Sequence, residues 1–264
     1  MIKQAVILAA GTGSRIRNGS HDLPKPLHEV SGTPLVKRTI LTLAAAGIER
    51  VTIVIGFMGE RIREAVAGDP AYARAGVTVG FVENPSYQLA NGVSVIAAGR
   101  VVDGPFVLSM SDHVYDAALP RLVAGADLAR ADLYLAVDRR VDEVYDLDDA
   151  TKVRTAGDRI VDIGKTLDDY DCIDCGVFAV TPRLVAALER VRGERGDCSL
   201  SDGVRELARR GRAAVVDIGH AFWQDVDTPE ARVRAEEQLL HREAPAMPVP
   251  VRTAHVPVRA ASGG

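Results

Sequence analysis

An unbroken apolar run, Ala5-Val6-Ile7-Leu8-Ala9-Ala10, ends at Gly11-Thr12-Gly13-Ser14-Arg15, and Pro24-Lys25-Pro26-Leu27 follows after a short gap. An apolar run closed by glycine fits a strand buried on both faces, the kind found in parallel sheets. The two glycines let the backbone bend sharply and bring bare N–H groups against a bound anion. Arg15 adds a planar fork of donors matched to phosphate. Lys25 stands between two prolines, so its backbone is stiff and its ammonium is aimed. Strand, glycine turn and two fixed cations make a cradle for a triphosphate. Two other glycine loops fail on their residues. A P-loop closes with Gly-Lys-Ser/Thr, whereas Ser14-Arg15 follows Gly13, and the dinucleotide fingerprint needs a third glycine where Ile16 stands.

The strand–helix alternation that follows predicts an α/β fold with a Rossmann-like, doubly wound, mostly parallel (mixed) sheet. Thr33 and Pro34 open a helix running to Gly47; residues 51–55 form a buried strand, 59–66 a helix and 77–82 a third strand. In such sheets ligands bind at the carboxyl ends of strands, beside a topological switch. The chain of 264 residues can bury a large core as one domain over residues 1–242, with a small β-rich insertion for an acceptor at about 138–180. From residue 243 on, proline, alanine and small polar residues predict a disordered tail.

Net charge is −4, which argues against nucleic acid or an anionic membrane as partner; an anionic substrate must then be met by local cations. No charged-then-apolar leader and no bilayer-length apolar run are present, which reads as a cytoplasmic protein. No helix face is conspicuously apolar, and a homo-oligomer stays open. Of the three cysteines, Cys172 and Cys175 have a metal-ligand spacing, but they lack a second pair and lie in a strand, where positions three apart face opposite sides. Zinc is not expected there.

Further candidates lie at loops after strands. Gln88 and Asn91 carry both donors and acceptors for a base edge, and Gly92 would let backbone approach a ring; an ordinary loop with a helix cap is the competing reading. Residues 106–110 form a strand that ends at Asp112, a carboxylate suited to magnesium or to a helix cap. His113 reads as a packing or orienting residue. After a strand at 133–137, the acidic run 138–149 reads as a solvated loop delivering a hairpin that turns at Asp158. Lys152 and Lys165 flank that hairpin and are candidate cations for an acceptor phosphate. Gly176, inside the strand 171–180, signals close approach of a ligand or of backbone. Ser199 to Asp202 reads as a helix cap that also borders the acceptor pocket. Asp225 and Asp227 alternate on a strand and point to one face, which suits a metal clamp with Asp112, or two caps.

The stretch Leu8-Ala9-Ala10-Gly11-Thr12-Gly13-Ser14-Arg15 with Pro24-Lys25-Pro26 resembles the signature of the sugar-1-phosphate and phospho-alcohol nucleotidyltransferases. The resemblance implies that Leu8, Ala9, Ala10, Gly11, Thr12 and Gly13 hold a nucleoside triphosphate, with Arg15 and Lys25 on its phosphates. It implies a base-reading loop at Gln88, Asn91 and Gly92, and magnesium on Asp112 with a second ligand from the segment Trp223-Gln224-Asp225-Val226-Asp227. It also implies a lysine of the hairpin on the α-phosphate or the acceptor phosphate. Relatives carry Thr-Gly or Ser-Gly where Cys175-Gly176 stands. Asp112-His113-Val114-Tyr115, Ala150-Thr151-Lys152-Val153, Ile163-Gly164-Lys165 and residues 223–228 resemble the bacterial and archaeal inositol-1-phosphate cytidylyltransferases, and are similar to the choline-phosphate and phosphonate cytidylyltransferases. The implied reaction joins CTP and a phospho-alcohol, myo-inositol 1-phosphate first, to give a CDP-alcohol and pyrophosphate. Magnesium, Arg15, Lys25 and Lys165 would assist, with Lys152, Asp112 and Gly176 against the substrate. A uridylyl-, guanylyl- or adenylyltransferase of the same fold, and a catalytically silent nucleotide sensor, remain as alternatives.

Overall fold

The computed structural model describes residues 1–13 and 23–243. Arg15 and residues 244–264 of the predicted tail lie outside the described residues. In chain order the elements are β1 (Gln4–Ala9), β2 (Glu29–Val30), β3 (Thr33–Pro34), α1 (Leu35–Ala45), β4 (Arg50–Ile55), α2 (Gly59–Val66), α3 (Pro70–Arg74) and β5 (Thr78–Glu83). Then come α4 (Gly92–Ala98), β6 (Phe106–Met110), β7 (His113–Tyr115), α5 (Ala118–Ala124), β8 (Leu133–Asp138), β9 (Lys152–Ala156), β10 (Arg159–Gly164) and β11 (Cys172–Val180). The last are α6 (Pro182–Arg195), α7 (Leu200–Ala208), β12 (Ala213–Asp217), β13 (Trp223–Asp225) and α8 (Pro229–Glu243).

Nine strands form the main sheet in the order β5-β4-β1-β6-β11-β8-β12-β10-β9. The block β5-β4-β1-β6 is parallel, β12 is parallel to β8, and β11 runs antiparallel between β6 and β8. The strand that follows β1 in the sheet joins on one side (β4), and β6 joins on the other. The switch therefore falls at the carboxyl end of β1. Register makes the ends flush: Leu8 pairs with Met110 and Ala9 with Ile55. The glycine loop and Ser111-Asp112 therefore leave the sheet side by side.

Alternation along β1 builds both core layers. Val6 and Leu8 pack with α4, α6 and α7, whereas Ala5, Ile7 and Ala9 pack with α1, α2, α3 and α5. Cys172 belongs to the first layer and Cys175 to the second, so the pair cannot share a metal, as the strand geometry requires. Burial pushes the Cys172 thiol up to about 12, which keeps it inert. A third cluster of Val30, Leu35, Val114, Phe222, Val226 and Ala235 fastens α8 and the β7–β13 pair against β2.

Two local expectations change. Thr33 and Pro34 pair with β2 rather than lying in the helix, which starts one residue later. Within the segment read as an insertion, the hairpin β9–β10 extends one edge of the main sheet, and β11 lies near the sheet's centre, buried along most of its length. Asp138 is not part of a solvated loop. It ends β8 at 4% exposure, because Arg140 and the Trp223 indole surround its carboxylate.

Gly92 opens α4 where the helix meets α6 and the segment before α7. A Cβ there would lie 2.6 Å from the Cys198 carbonyl oxygen and 2.9 Å from Leu188 Cδ2. Backbone cannot yield as a side-chain tip can. Gly92→Ala should therefore destabilise the fold by about 1–3 kcal/mol, measured as a lower urea midpoint. An unchanged midpoint would show that the two elements can separate at no cost.

Candidate active site

The carboxyl ends of β1 and β6 frame a cavity of about 250 Å³, lined by Leu8, Ala9, Ala10, Gly11, Gly13, Lys25, Asn91, Ser111, Asp112 and Asp227 among others. Gly13 has φ +57°, and a Cβ on it would sit 2.5 Å from Lys25 Cβ. The glycine loop thus lies directly on the lysine stem, and only glycine allows both the turn and the contact. Lys25 begins a single 3-10 turn, Lys25–Leu27, after Pro24. Its residue exposure is only 7%.

Three carboxylates meet the buried Lys25 ammonium. Asp112 Oδ2 lies at 2.8 Å and Asp225 Oδ1 at 3.8 Å, and Asp227 is in direct contact. They come from two segments of the chain. Asp112 follows β6, Asp225 ends β13, and Asp227 precedes α8. Pairing of Asp225 with His113 across β7–β13, and donation by the Val226 N–H to the Asp112 carbonyl at 2.9 Å, hold them in register.

Burial opposes charge on Asp112, but Lys25 and His113 beside it hold its carboxyl well below the usual carboxylate range. Burial likewise opposes charge on His113, yet Asp225 and Asp112 outweigh it and raise the imidazole. His113 Nδ1 sits 2.9 Å from Asp112 Oδ1, which fits the orienting role expected of it. Asp112, His113 and Asp225 each offer a ligand atom, all within 4.8 Å of one another. Carboxylate oxygens are hard donors suited to magnesium-like cations, and carboxylate charge exceeds that of Lys25 here. The residues fit a divalent metal.

A second cavity, of about 240 Å³, opens on the far side of the same cluster and shares Asn91, Met110, Asp112 and Asp227 with the first. Its walls include Tyr145, Lys165, Asp174, Gly176, Ser201 and Trp223. Gly176 has φ +73°, and a Cβ on it would strike His113 Nε2 at 2.8 Å. Trp223 stacks on His113 at 6.0 Å between centroids and 17° between planes. Its indole N–H donates to Asp138 Oδ2 at 2.9 Å. Burial would raise Asp138, but Arg140 and that N–H keep its carboxyl below the ordinary range, so the indole rests on a charged acceptor. Lys165 Nζ pairs with Asp149 Oδ1 at 2.8 Å on the cavity wall. Asp174 behaves oppositely to Asp112: burial pushes its carboxyl up to about 6.

Most of the expected residues converge here: the loop residues Leu8 to Gly11 and Gly13, with Lys25, Asn91, Asp112, Lys165, Gly176, Asp225 and Asp227. Others do not. Thr12 is half-buried beside the cavity without lining it, and Gln88 is exposed on the surface. Gly92 approaches protein backbone instead of a ring. Asn91 Oδ1 accepts the Leu200 N–H at 2.8 Å, which fixes the loop between both cavities. Lys152 is buried, and its ammonium donates to the carbonyls of Asp148, Ala150 and Lys165 at 3.3, 3.5 and 3.0 Å. It ties the acidic loop to the hairpin and does not line the second cavity, because three carbonyl dipoles already hold its charge. Tyr87, Ser111, Tyr145 and Asp174 line the cavities without having been expected there. For Asp174 a signal existed, an aspartate two residues before a mid-strand glycine.

Residues 5–213 match the family of MobA-like NTP transferase domains. The chain is 41% identical over 241 residues to a bifunctional IPC transferase and DIPP synthase of Rubrobacter xylanophilus, covering 89% of this chain and 52% of that protein. A protein of the same description from Thermococcus kodakarensis is 33% identical over 240 residues, covering 90% of this chain and 51% of the relative. The chain thus spans about half the length of these relatives. Among solved structures, the inositol-1-phosphate CTP transferase from T. maritima superposes with a TM-score of 0.76 at 28% identity, covering 89% of this chain and 97% of that one. A glycine loop at the sheet's switch point, a buried lysine among carboxylates and these matches agree, and the chain belongs to the MobA-like NTP transferase family.

Proposed function

We propose that this chain is a cytidylyltransferase that joins CTP to the phosphate of a polyol, with myo-inositol 1-phosphate as the preferred acceptor. One observation carries the reading: two cavities meet at a single cluster of Lys25, Asp112, Asp225 and Asp227. A nucleotide on one side and an acceptor on the other would present their phosphates to each other there. The identity to the IPC transferases and the likeness to the inositol-1-phosphate CTP transferase support cytidine and inositol over other pairs.

In this reading an acceptor phosphate oxygen attacks the α-phosphorus of CTP in line. The new P–O bond forms as the bond to the β-phosphate breaks, and its electron pair leaves with pyrophosphate. The nucleophile is already ionised, so no general base is required. Placement and charge neutralisation supply the catalysis. The N–H groups around Gly11 and Gly13 cradle the triphosphate. Lys25, fixed by its three carboxylates, places positive charge beside the reacting phosphates, with Arg15 as its expected companion. Lys165 faces the acceptor cavity and counters charge growing on the α-phosphate. Asp112 and Asp225, with Asp227, would hold magnesium, which supplies further positive charge to phosphate oxygens.

Lys25→Ala and Asp112→Ala should each lower turnover by about a hundredfold or more, with the far-ultraviolet CD spectrum unchanged; near-normal pyrophosphate release would reject both roles. For Lys165→Ala, kcat should fall more than the affinity for CTP. The reverse pattern would reassign it to ground-state binding. Among the four NTPs, pyrophosphate release with inositol 1-phosphate should be fastest for CTP, and a clear preference for UTP, GTP or ATP would redirect the assignment to another nucleotidyltransferase.

A further inference from the structure

We propose that Asp174 reads the hydroxyl groups of the acceptor and so sets both its identity and its direction in the cavity. The inference rests on the function proposed above and specifies which residue selects the polyol. Asp174 sits on β11 where the ladder with β8 loses register between Asp174 and Phe178. Gly176, at φ +73°, forms the centre of that break. The kink places Asp174 on the acceptor cavity wall, next to Gly176 itself. The Gly176 N–H donates to Asp174 Oδ1 at 2.7 Å, which pins the carboxylate. A side chain held by its own backbone is pre-organised and loses little entropy on meeting a ligand.

Its surroundings differ from those of the other carboxylates in this cavity. Asp112, Asp225 and Asp227 face Lys25, and Asp149 faces Lys165. Asp174 takes part in no ion pair among the described residues, and Oδ1 is its only side-chain hydrogen-bonding atom with a protein partner there. A carboxylate with open acceptor sites in a partly enclosed cavity calls for donors. A phosphate cannot supply them, since it is anionic itself. Ring hydroxyls can. The acceptor is thus oriented by two opposite preferences: its phosphate is repelled from Asp174 towards Lys165 and the metal cluster, and its hydroxyls are drawn to Asp174.

The test compares two acceptors, myo-inositol 1-phosphate and cyclohexyl phosphate, which keeps the ring and phosphate but lacks ring hydroxyls. Steady-state constants are measured with CTP and magnesium for the unaltered full chain, Asp174→Asn and Asp174→Ala, with cyclohexyl phosphate used as a competitive inhibitor if its turnover is slow. Asn keeps an oxygen for the Gly176 N–H, so it tests charge and acceptor capacity with the kink retained. The expected result is a KM for inositol 1-phosphate raised about tenfold or more in Asp174→Asn, with the KM for CTP and the constant for cyclohexyl phosphate unchanged. Equal losses with both acceptors, or no loss with either, would overturn the inference while leaving the cytidylyltransferase reading in place. Failure of the unaltered chain to make CDP-inositol would overturn both the inference and the choice of inositol 1-phosphate as acceptor.

Discussion

A single buried ammonium surrounded by three carboxylates organises this molecule. Lys25 is only 7% exposed, and a charge so placed is tolerable only when its partners are fixed in advance. The fold supplies that fixity from distant parts of the chain. The lysine comes from the turn after β1, Asp112 from the end of β6, and Asp225 and Asp227 from the segment before α8. Pairing of β7 with β13 and the small cluster beneath α8 exist, in effect, to bring the last segment back across the sheet to the first. Any element that lets one partner drift leaves charge unbalanced inside the protein.

The same interaction defines the site's chemistry. Lysine and carboxylates together form a junction where one cavity ends and the other begins, so ligands on either side feel the same charges. Glycine works at the joints. Gly13 rests on the Lys25 stem and Gly176 on the His113 ring, each in a conformation that other residues rarely adopt. Trp223 stacks on that ring and is itself held by Asp138, which Arg140 fixes in turn, so His113 and Asp112 are supported from behind.

Much of this was legible in the residues. The buried run ending in Gly11 and Gly13 announced a switch-point loop, and Lys25 between prolines announced an aimed cation. Asp112 was readable because an aspartate just past a buried strand faces the crevice at the sheet's carboxyl edge, and Asp225 and Asp227 because alternating positions of an extended segment share a face. What could not be read depended on partners far along the chain. Lys152 looks like a free cation in sequence, but the carbonyls that hold it belong to the folded-back loop and hairpin. Gly92 looks like a ligand contact, yet its neighbour is the Cys198 carbonyl, in the link between α6 and α7. Asp138 belongs by composition to an acidic loop, and only the fold brings Trp223 to it. The central place of β11 was hidden for a similar reason: strand order is a property of the sheet, not of any one strand.

The most direct measurement is an anomalous difference map from crystals grown with manganese and a non-hydrolysable CTP analogue. The account requires a manganese peak bonded to Asp112 and Asp225, with the triphosphate lying along the Gly11–Gly13 loop and its α-phosphate facing the cavity that holds Lys165. A metal bound away from those carboxylates, or a triphosphate seated outside the glycine loop, would contradict it.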